Sequence, residues 1–414
     1  PVHRRTPRVR HVGRGRVSRP VVRLPSPRAA STVAGHPHRH APAMDPAVLD
    51  AARAAFPAGT PRLTLGAVVH GGAANAEPSV GIPLAMANRH GLIAGATGTG
   101  KTKTLQLLAE QCSAAGVPVF LADVKGDLSG LAVAGEASPR VTERAQALGY
   151  DWKPAGAPVE YLSLTGKNGA QLRATVSSFG PLLLAKVLEL NATQTSVLTL
   201  VFKYCDDKGY LLLDFADLRA VLQHLATDEG AAELKPYGAS SKATLGVLLR
   251  EMVELEAQGA GAFFGEPEFD LADDLLVVDP DGRGRVSVLD LTDVQDKPAL
   301  FSTFMLWMLA RLYGTLPEVG DVDKPKLVFF FDEAHLLFDD ATEAFRDQVE
   351  QVVRLIRSKG VGVYFCTQSP SDVPDVILAQ LGHRIQHALR AFTPRDQKAV
   401  RTAAETFVPN PSLD

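Results

Sequence analysis

Residues Gly91 to Thr104 read GLIAGATGTGKTKT, and Gly95, Ala96, Thr97, Gly98, Thr99, Gly100, Lys101 and Thr102 meet G-x-x-x-x-G-K-[ST] at every position. That spacing marks a phosphate-binding loop when a strand leads into it and a helix leads out. Both flanks are present: Leu92, Ile93 and Ala94 form a short apolar run, and Lys101 to Ala115 has helical character. Glycines at 95, 98 and 100 let the backbone turn tightly, so that successive N–H groups face one anion. The positive end of the following helix adds to the attraction. Lys101 can then reach the β- and γ-phosphates, and the Thr102 hydroxyl can ligate Mg²⁺. The expected cofactors are ATP and Mg²⁺. A ligand-free glycine turn is the bland alternative, and eight matched positions with both flanks argue against it.

Working outward, Val117 to Val124 (VPVFLADV) reads as a second buried strand, ending in the polar stretch Asp123-Val124-Lys125-Gly126-Asp127. Pro325 to Phe331 (PKLVFFF) is a third, running into Asp332-Glu333-Ala334-His335. A helix is expected from Phe345 to Lys359, a strand from Gly360 to Thr367 that ends at Gln368, and another from His383 to Phe392. Fully apolar strands alternating with helices predict an α/β fold whose mostly parallel sheet is covered on both faces. Ligands of such sheets bind at the strands' carboxyl ends.

Five segments are expected. Residues 1–44 form an Arg/Pro-rich disordered arm, and 45–90 a lead-in with a helix (Asp45–Phe56) and strands near Arg62–Val69 and Gly81–Met86. Residues 91–130 hold the first part of the core and 321–414 the second. Between them, 131–320 reads as a large, mainly helical insertion. Its helices are expected at Pro181–Leu190, Gln194–Tyr204, Phe215–Leu225 and Lys242–Ala257, and short strands at Val159–Leu164, Leu275–Val278 and Arg285–Asp290.

The strand ends supply the chemistry. Four apolar residues running into Asp332 form a Walker B pattern, with Asp332 expected to hold Mg²⁺ opposite Thr102. Glu333 suits the base that orients the attacking water. Gln368 is placed to touch the γ-phosphate or that water, although a surface turn before Pro370 would also explain it. Asp123 and Asp127 could join the same edge or cap a turn. A cation on the developing charge could come from Arg354, Arg357, Arg384 or Arg390, each of which is as readily a solvated arginine. His335 reads as a helix-start residue. The string Asp-Glu-Ala-His imitates a DEAH-box helicase, but 231 residues separate Lys101 from Asp332 and the Ser-Ala-Thr motif of those enzymes does not follow.

Charge and composition set limits. Residues 1–44 carry ten arginines, no lysine and no acid, so the rest of the chain has 33 basic against 46 acidic side chains, a net −13. Any grip on nucleic acid must therefore come from a local patch. The basic arm could be a nucleic-acid tail, a targeting peptide or translated sequence upstream of a start at Met44, and its all-arginine composition favours the last. Three dispersed cysteines (Cys112, Cys205, Cys366) fit reduced core thiols in a cytoplasmic protein. Ala299 to Tyr313 is the most apolar stretch, and at that length it reads as a core helix rather than a membrane span.

On the stretches Gly91–Gly130, Leu182–Asp217 and Lys326–Thr402, including LVFFFDEAHLLF, RLIRSKGVGV, TQSPSDVPD and QHALRAFTPRDQKAV, the sequence resembles the HerA-like helicase/ATPase family, in its YjgR-like branch. The resemblance implies a RecA/FtsK-like P-loop NTPase core, ring hexamers, and ATP hydrolysis coupled to movement on DNA. Carried over by position, Lys101 and Thr102 are the P-loop pair, Asp332 the Mg²⁺ carboxylate, Glu333 the catalytic acid, Gln368 the sensor and Arg357 the finger acting in trans. Residues 1–44 have no counterpart in the family, and Asp414 falls short of its usual end, so a truncation that bears on ring assembly is expected. The expected function is a Mg²⁺-dependent, DNA-translocating homo-hexameric ATPase, with a nuclease or other regulator as a further class of partner. The alternative is a nucleotide-gated assembly switch that does not track on DNA.

Overall fold

A computed structural model describes residues 45–401 apart from 71–72, 149, 151, 239–240, 339–342, 390–396 and 398–399. The expectations for residues 1–44, for Arg390 and for the chain end at Asp414 fall outside the described residues.

Ten strands can be numbered in chain order: β1 (Arg62–His70), β2 (Ala73–Pro83), β3 (Gly91–Ala94), β4 (Val119–Asp123), β5 (Val159–Ser163), β6 (Ala170–Gln171), β7 (Val286–Asp290), β8 (Leu327–Phe331), β9 (Val361–Thr367) and β10 (His383–Gln386). β1 and β2 pair antiparallel as a separate two-stranded sheet. The other eight form one sheet in the order β10-β3-β9-β8-β4-β7-β5-β6, and every pairing in it is parallel. All eight carboxyl ends therefore lie on one edge.

Strand alternation divides the core in two. Successive side chains of a strand point to opposite faces. On one face Val119 and Leu121 of β4, Val328 and Phe330 of β8, and Tyr364 and Cys366 of β9 pack with Leu105, Leu108 and Cys112 of the helix Lys101–Ala114. On the other, Phe120, Phe329, Phe331 and Phe365 meet the helix Pro298–Thr315 through Phe304 and Trp307. That helix is the most apolar stretch of the sequence, and burial on the sheet accounts for it. Among the described residues no helix is long and apolar enough to cross a membrane.

Between β6 and β7 the chain is helical, as the 3.6-residue spacing predicts. Capping boxes open two of its helices, Asn191 with Gln194 before Ala192–Lys208 and Asp214 with Asp217 before Phe215–Leu225. The insertion is fastened to the sheet by rings: Phe263 lies 5.6 Å from Trp307 and 5.7 Å from Phe304, which in turn stacks on Phe120 of β4. Within 131–320, β5, β6 and β7 belong to the main sheet, with a helix (Pro139–Ala147) before β5 and the longer helical run from Val176 to β7. Of the strand expected at Leu275–Val278, Leu275 closes a helical turn, Leu271–Leu275, opened by the Asp270 carboxylate accepting from the N–H groups of Ala272 and Asp273, and Val278 makes an antiparallel bridge to Gly284.

Besides packing Leu63 and Ile82 into the core, the hairpin is tied down by one polar side chain. The Gln111 amide donates to the Thr64 carbonyl (2.9 Å) and accepts from the Thr64 N–H (2.6 Å), tying β1 to the back of the helix that follows the phosphate loop. Just before β3, the buried His90 accepts from the Val363 N–H through Nδ1 (3.0 Å). Burial pushes its pKa down to about 4, with the charges of Arg357 and His383 acting in the same direction. A neutral folded histidine that protonates readily when unfolded contributes stability above pH 6.5, and loses it as pH falls toward 4. At about 1.4 kcal/mol per pKa unit, roughly 2 kcal/mol should be gone by pH 5. Denaturant midpoints at pH 7 and pH 5 test this, and His90→Gln should flatten the difference.

Candidate functional site

β3 ends at Ala94, and the loop after it is held on two sides. The Gly95 N–H donates to the Thr367 carbonyl of β9 (3.2 Å), and the Ala96 N–H to the Ala388 carbonyl just past β10 (2.9 Å). These two amides anchor the loop. Gly98 and Gly100 take φ of 78° and 103°, values open to glycine and costly for other residues, and they reverse the chain into the helix Lys101–Ala114. The remaining donors converge. The Ala96 carbonyl accepts from the Thr99 N–H (3.3 Å), the Thr99 hydroxyl (2.7 Å) and the ammonium of Lys101 (3.3 Å). Lys101 is only 7 % exposed, and Thr102 lies half-buried beside it in the first turn. Donors focused on one oxygen in this way suit a phosphate oxygen.

β8 lies one strand away from β3, with β9 between them. At about 4.8 Å per strand, its carboxyl end is roughly 10 Å from the loop, room for a terminal phosphate and a cation. Asp332 and Glu333 follow β8, each 4 % exposed. Asp332 Oδ2 is buried without a hydrogen-bond partner, while the Cys366 thiol donates to the carboxylate. Burial raises the Asp332 pKa, with the Glu333 charge adding to it. A buried, partly unpartnered carboxylate beside a phosphate cradle fits Mg²⁺, which takes few protein ligands and completes its shell with phosphate oxygens and water. Asp332 and Thr102 are the residues that could hold it.

Glu333 has φ of 48°, a left-handed conformation unusual outside glycine. Three groups face its carboxylate. Lys125, after β4, forms an ion pair with Oε1; His335 Nδ1 lies 3.2 Å from Oε2, and the Gln368 amide donates to Oε2 at 3.5 Å. Burial acts to raise its pKa, but the hydrogen bond and charge of Lys125 outweigh that, and the net shift is downward. Glu333 is thus ionised at neutral pH and aimed into the same edge as Lys101.

Asp123 turns out to cap the turn after β4. It accepts from the N–H groups of Lys125 (3.2 Å), Gly126 (2.8 Å) and Leu128 (3.0 Å), and so fixes the segment that carries Lys125. The Asp127 side chain is exposed. Gln368 leaves β9 at the same edge, where Asp372 holds the next turn by accepting from the Thr367 hydroxyl (2.5 Å) and the Ser369 N–H (2.9 Å). Arg357 is elsewhere. It precedes β9, on the amino edge of the sheet, exposed and away from its own chain's cradle. Arg354 pairs with Glu350 (2.5 Å), and Arg384 donates to the Leu378 carbonyl (3.2 Å).

No catalytic or binding role was expected of three residues at this edge: Lys125, His335 and His387. Lys125 and His335 sit inside quoted strand-end motifs, and the position of each after a buried strand was the available signal. His387 lies in QHALRAFTPRDQKAV, a motif with no assigned chemistry, and its contacts with the loop span 283 and 288 residues.

The fold is shared with solved structures of the plasmid coupling protein TrwB. The plasmid coupling protein TrwB, in complex with ADP and Mg²⁺, aligns with a TM-score of 0.50 at 18 % identity, over 78 % of this chain and 79 % of that one. TrwB with the GTP analogue GDPNP aligns with a TM-score of 0.50 at 17 % identity, over 84 % and 83 %. VirB4 of Thermoanaerobacter pseudethanolicus gives 0.47 at 16 % identity, over 84 % and 88 %. No curated protein matches the chain. The family model for the helicase HerA-like C-terminal region matches residues 70–414, which contain the cradle, both carboxylates and the whole parallel sheet, and the chain belongs to that HerA-like family of P-loop ATPases.

Proposed function

We propose that the protein is a Mg²⁺-dependent ATPase that works as a cytoplasmic homo-hexameric ring moving on DNA. One observation carries the chemistry: the donors around Lys101 and the carboxylates of Asp332 and Glu333 occupy the same edge of one parallel sheet. The loop amides and Lys101 bind and orient the β- and γ-phosphates. Mg²⁺, held by Thr102 and Asp332, would offset phosphate charge when bound. Glu333 orients the attacking water and accepts its proton, and Gln368 reports on the terminal phosphate. TrwB carries ADP and Mg²⁺ in its solved structure, which supports the same ligands here. The ring rests on Arg357: exposed on the amino edge, away from the cradle of its own chain, it suits the trans arginine of a neighbouring subunit.

The acidic balance of the body favours a second reading, an assembly switch gated by nucleotide with no DNA track. ATPase rates with and without duplex DNA at two salt concentrations, beside a mass measurement of the assembly, separate the two. A DNA-stimulated rate that fades steeply with salt is expected, because phosphate contacts weaken by counterion release. A rate indifferent to DNA at both salts overturns the motor and leaves the switch.

A further inference from the structure

Residues Gln386 to Ala388 have no part in the chemistry above, yet they hold the phosphate loop and its flanks at four points. The His387 N–H donates to the Ala94 carbonyl (2.7 Å), and the Gln386 amide donates to the same carbonyl (3.0 Å). The Ala388 carbonyl takes the Ala96 N–H, as above. The imidazole makes the fourth contact, with Nδ1 3.0 Å from the Thr99 carbonyl and Nε2 3.0 Å from the Thr104 hydroxyl. A carbonyl accepts only, so Nδ1 carries a proton and donates to Thr99, while Nε2 pairs with the Thr104 hydroxyl. Gly95 makes room for this approach: a Cβ there would lie 2.4 Å from His387 Cβ.

We propose that His387 is a positioning residue for the phosphate cradle, locking the Thr99–Gly100 peptide so that its N–H faces the phosphate. The carbonyl and the N–H of one trans peptide point in opposite directions. Holding the Thr99 carbonyl on the His387 side therefore turns the Gly100 N–H the other way, toward the donors gathered around Lys101. The lock is needed because Gly100, at φ of 103°, has no side chain to oppose a peptide flip. The bond to Thr104 fixes the ring itself to the first turn of the helix, so that loop and helix end move as one body. The imidazole of His387 contacts Thr99 and Thr104 rather than the carboxylates, and its action is on nucleotide binding.

The proposal rests on the cradle taking a nucleotide, and its test keeps the two apart. A fluorescent ADP analogue is titrated, with Mg²⁺, into the wild-type chain and into His387→Ala, His387→Asn and His387→Gln, and each apo chain is melted. An asparagine amide nitrogen falls near the position of Nδ1 and can keep the bond to Thr99, whereas a glutamine amide falls near Nε2 and keeps only Thr104. The expected result is a Kd raised about tenfold in the alanine and glutamine variants and within about threefold of wild type in the asparagine variant, with kcat unchanged at saturating ATP. Alanine binding like wild type, glutamine rescuing where asparagine does not, or affinity falling in step with apo melting temperature in all three would overturn the lock. Should the alanine variant not fold, the contrast between asparagine and glutamine decides. A wild-type chain that binds no nucleotide overturns the reading of the cradle, and the lock with it.

Discussion

Glu333→Gln is expected to bind ATP and Mg²⁺ as the wild type does and to hydrolyse ATP about 10²- to 10⁴-fold more slowly, the range over which a positioned general base acts. The argument starts from what surrounds the carboxylate. Lys125, His335 and Gln368 all face it, and its backbone takes a left-handed conformation. An amide in its place keeps the size and can still hydrogen-bond, but it cannot take a proton from water, and it breaks the ion pair with Lys125. The cradle around Lys101 is left alone. Equilibrium binding of a fluorescent ATP analogue and steady-state phosphate release separate the two effects. A glutamine variant hydrolysing at near the wild-type rate would show that the base lies elsewhere, and His335 would be the next group to examine on geometric grounds.

Much of this site could be read before folding because its pieces are local. A phosphate cradle needs glycines, lysine and a hydroxyl within eight residues, so Gly95 to Thr102 declare it by spacing alone. A buried strand running into two acids declares Asp332 and Glu333 in the same way. What was hidden depends on contacts across the chain. Lys125 meets Glu333 over 208 residues, and His387 meets Thr99 over 288. No local pattern distinguishes such a lysine or histidine from a solvated one. The same reason hid the reach of the sheet. β5 and β7 are legible as short strands, but that they extend β4 outward as β4-β7-β5 follows from pairing, which periodicity does not encode. The apolar run Leu275 to Val278 keeps only a bridge from Val278 to Gly284, because Leu275 belongs to the turn that the Asp270 carboxylate opens ahead of it.

Asp332→Asn is expected to stabilise the chain without ligand while removing its response to Mg²⁺. Asp332 Oδ2 is buried with no partner, and burial is the main reason its carboxyl is held above the usual aspartate range. An acid whose folded pKa is raised binds its proton more tightly when folded. Its charge therefore costs stability above that pKa, and the cost disappears as pH falls through it. Asparagine has no charge to bury, so at neutral pH the ligand-free variant should gain about 1–2 kcal/mol, the scale on which single buried polar changes act. The cost to function is larger. Losing a charged contact to the cation, worth about 2–3 kcal/mol, lowers Mg²⁺-dependent nucleotide affinity by roughly 100-fold. Nucleotide without Mg²⁺ should bind both forms alike, since the cradle donors are unchanged. Thermal melts with ADP, with and without Mg²⁺, read both effects at once: the wild type starts lower and climbs when Mg²⁺ joins ADP, and the variant starts higher and stays there. A variant that starts lower than the wild type, or still climbs with Mg²⁺, means that Asp332 is a structural carboxylate and that the cation sits on other oxygens.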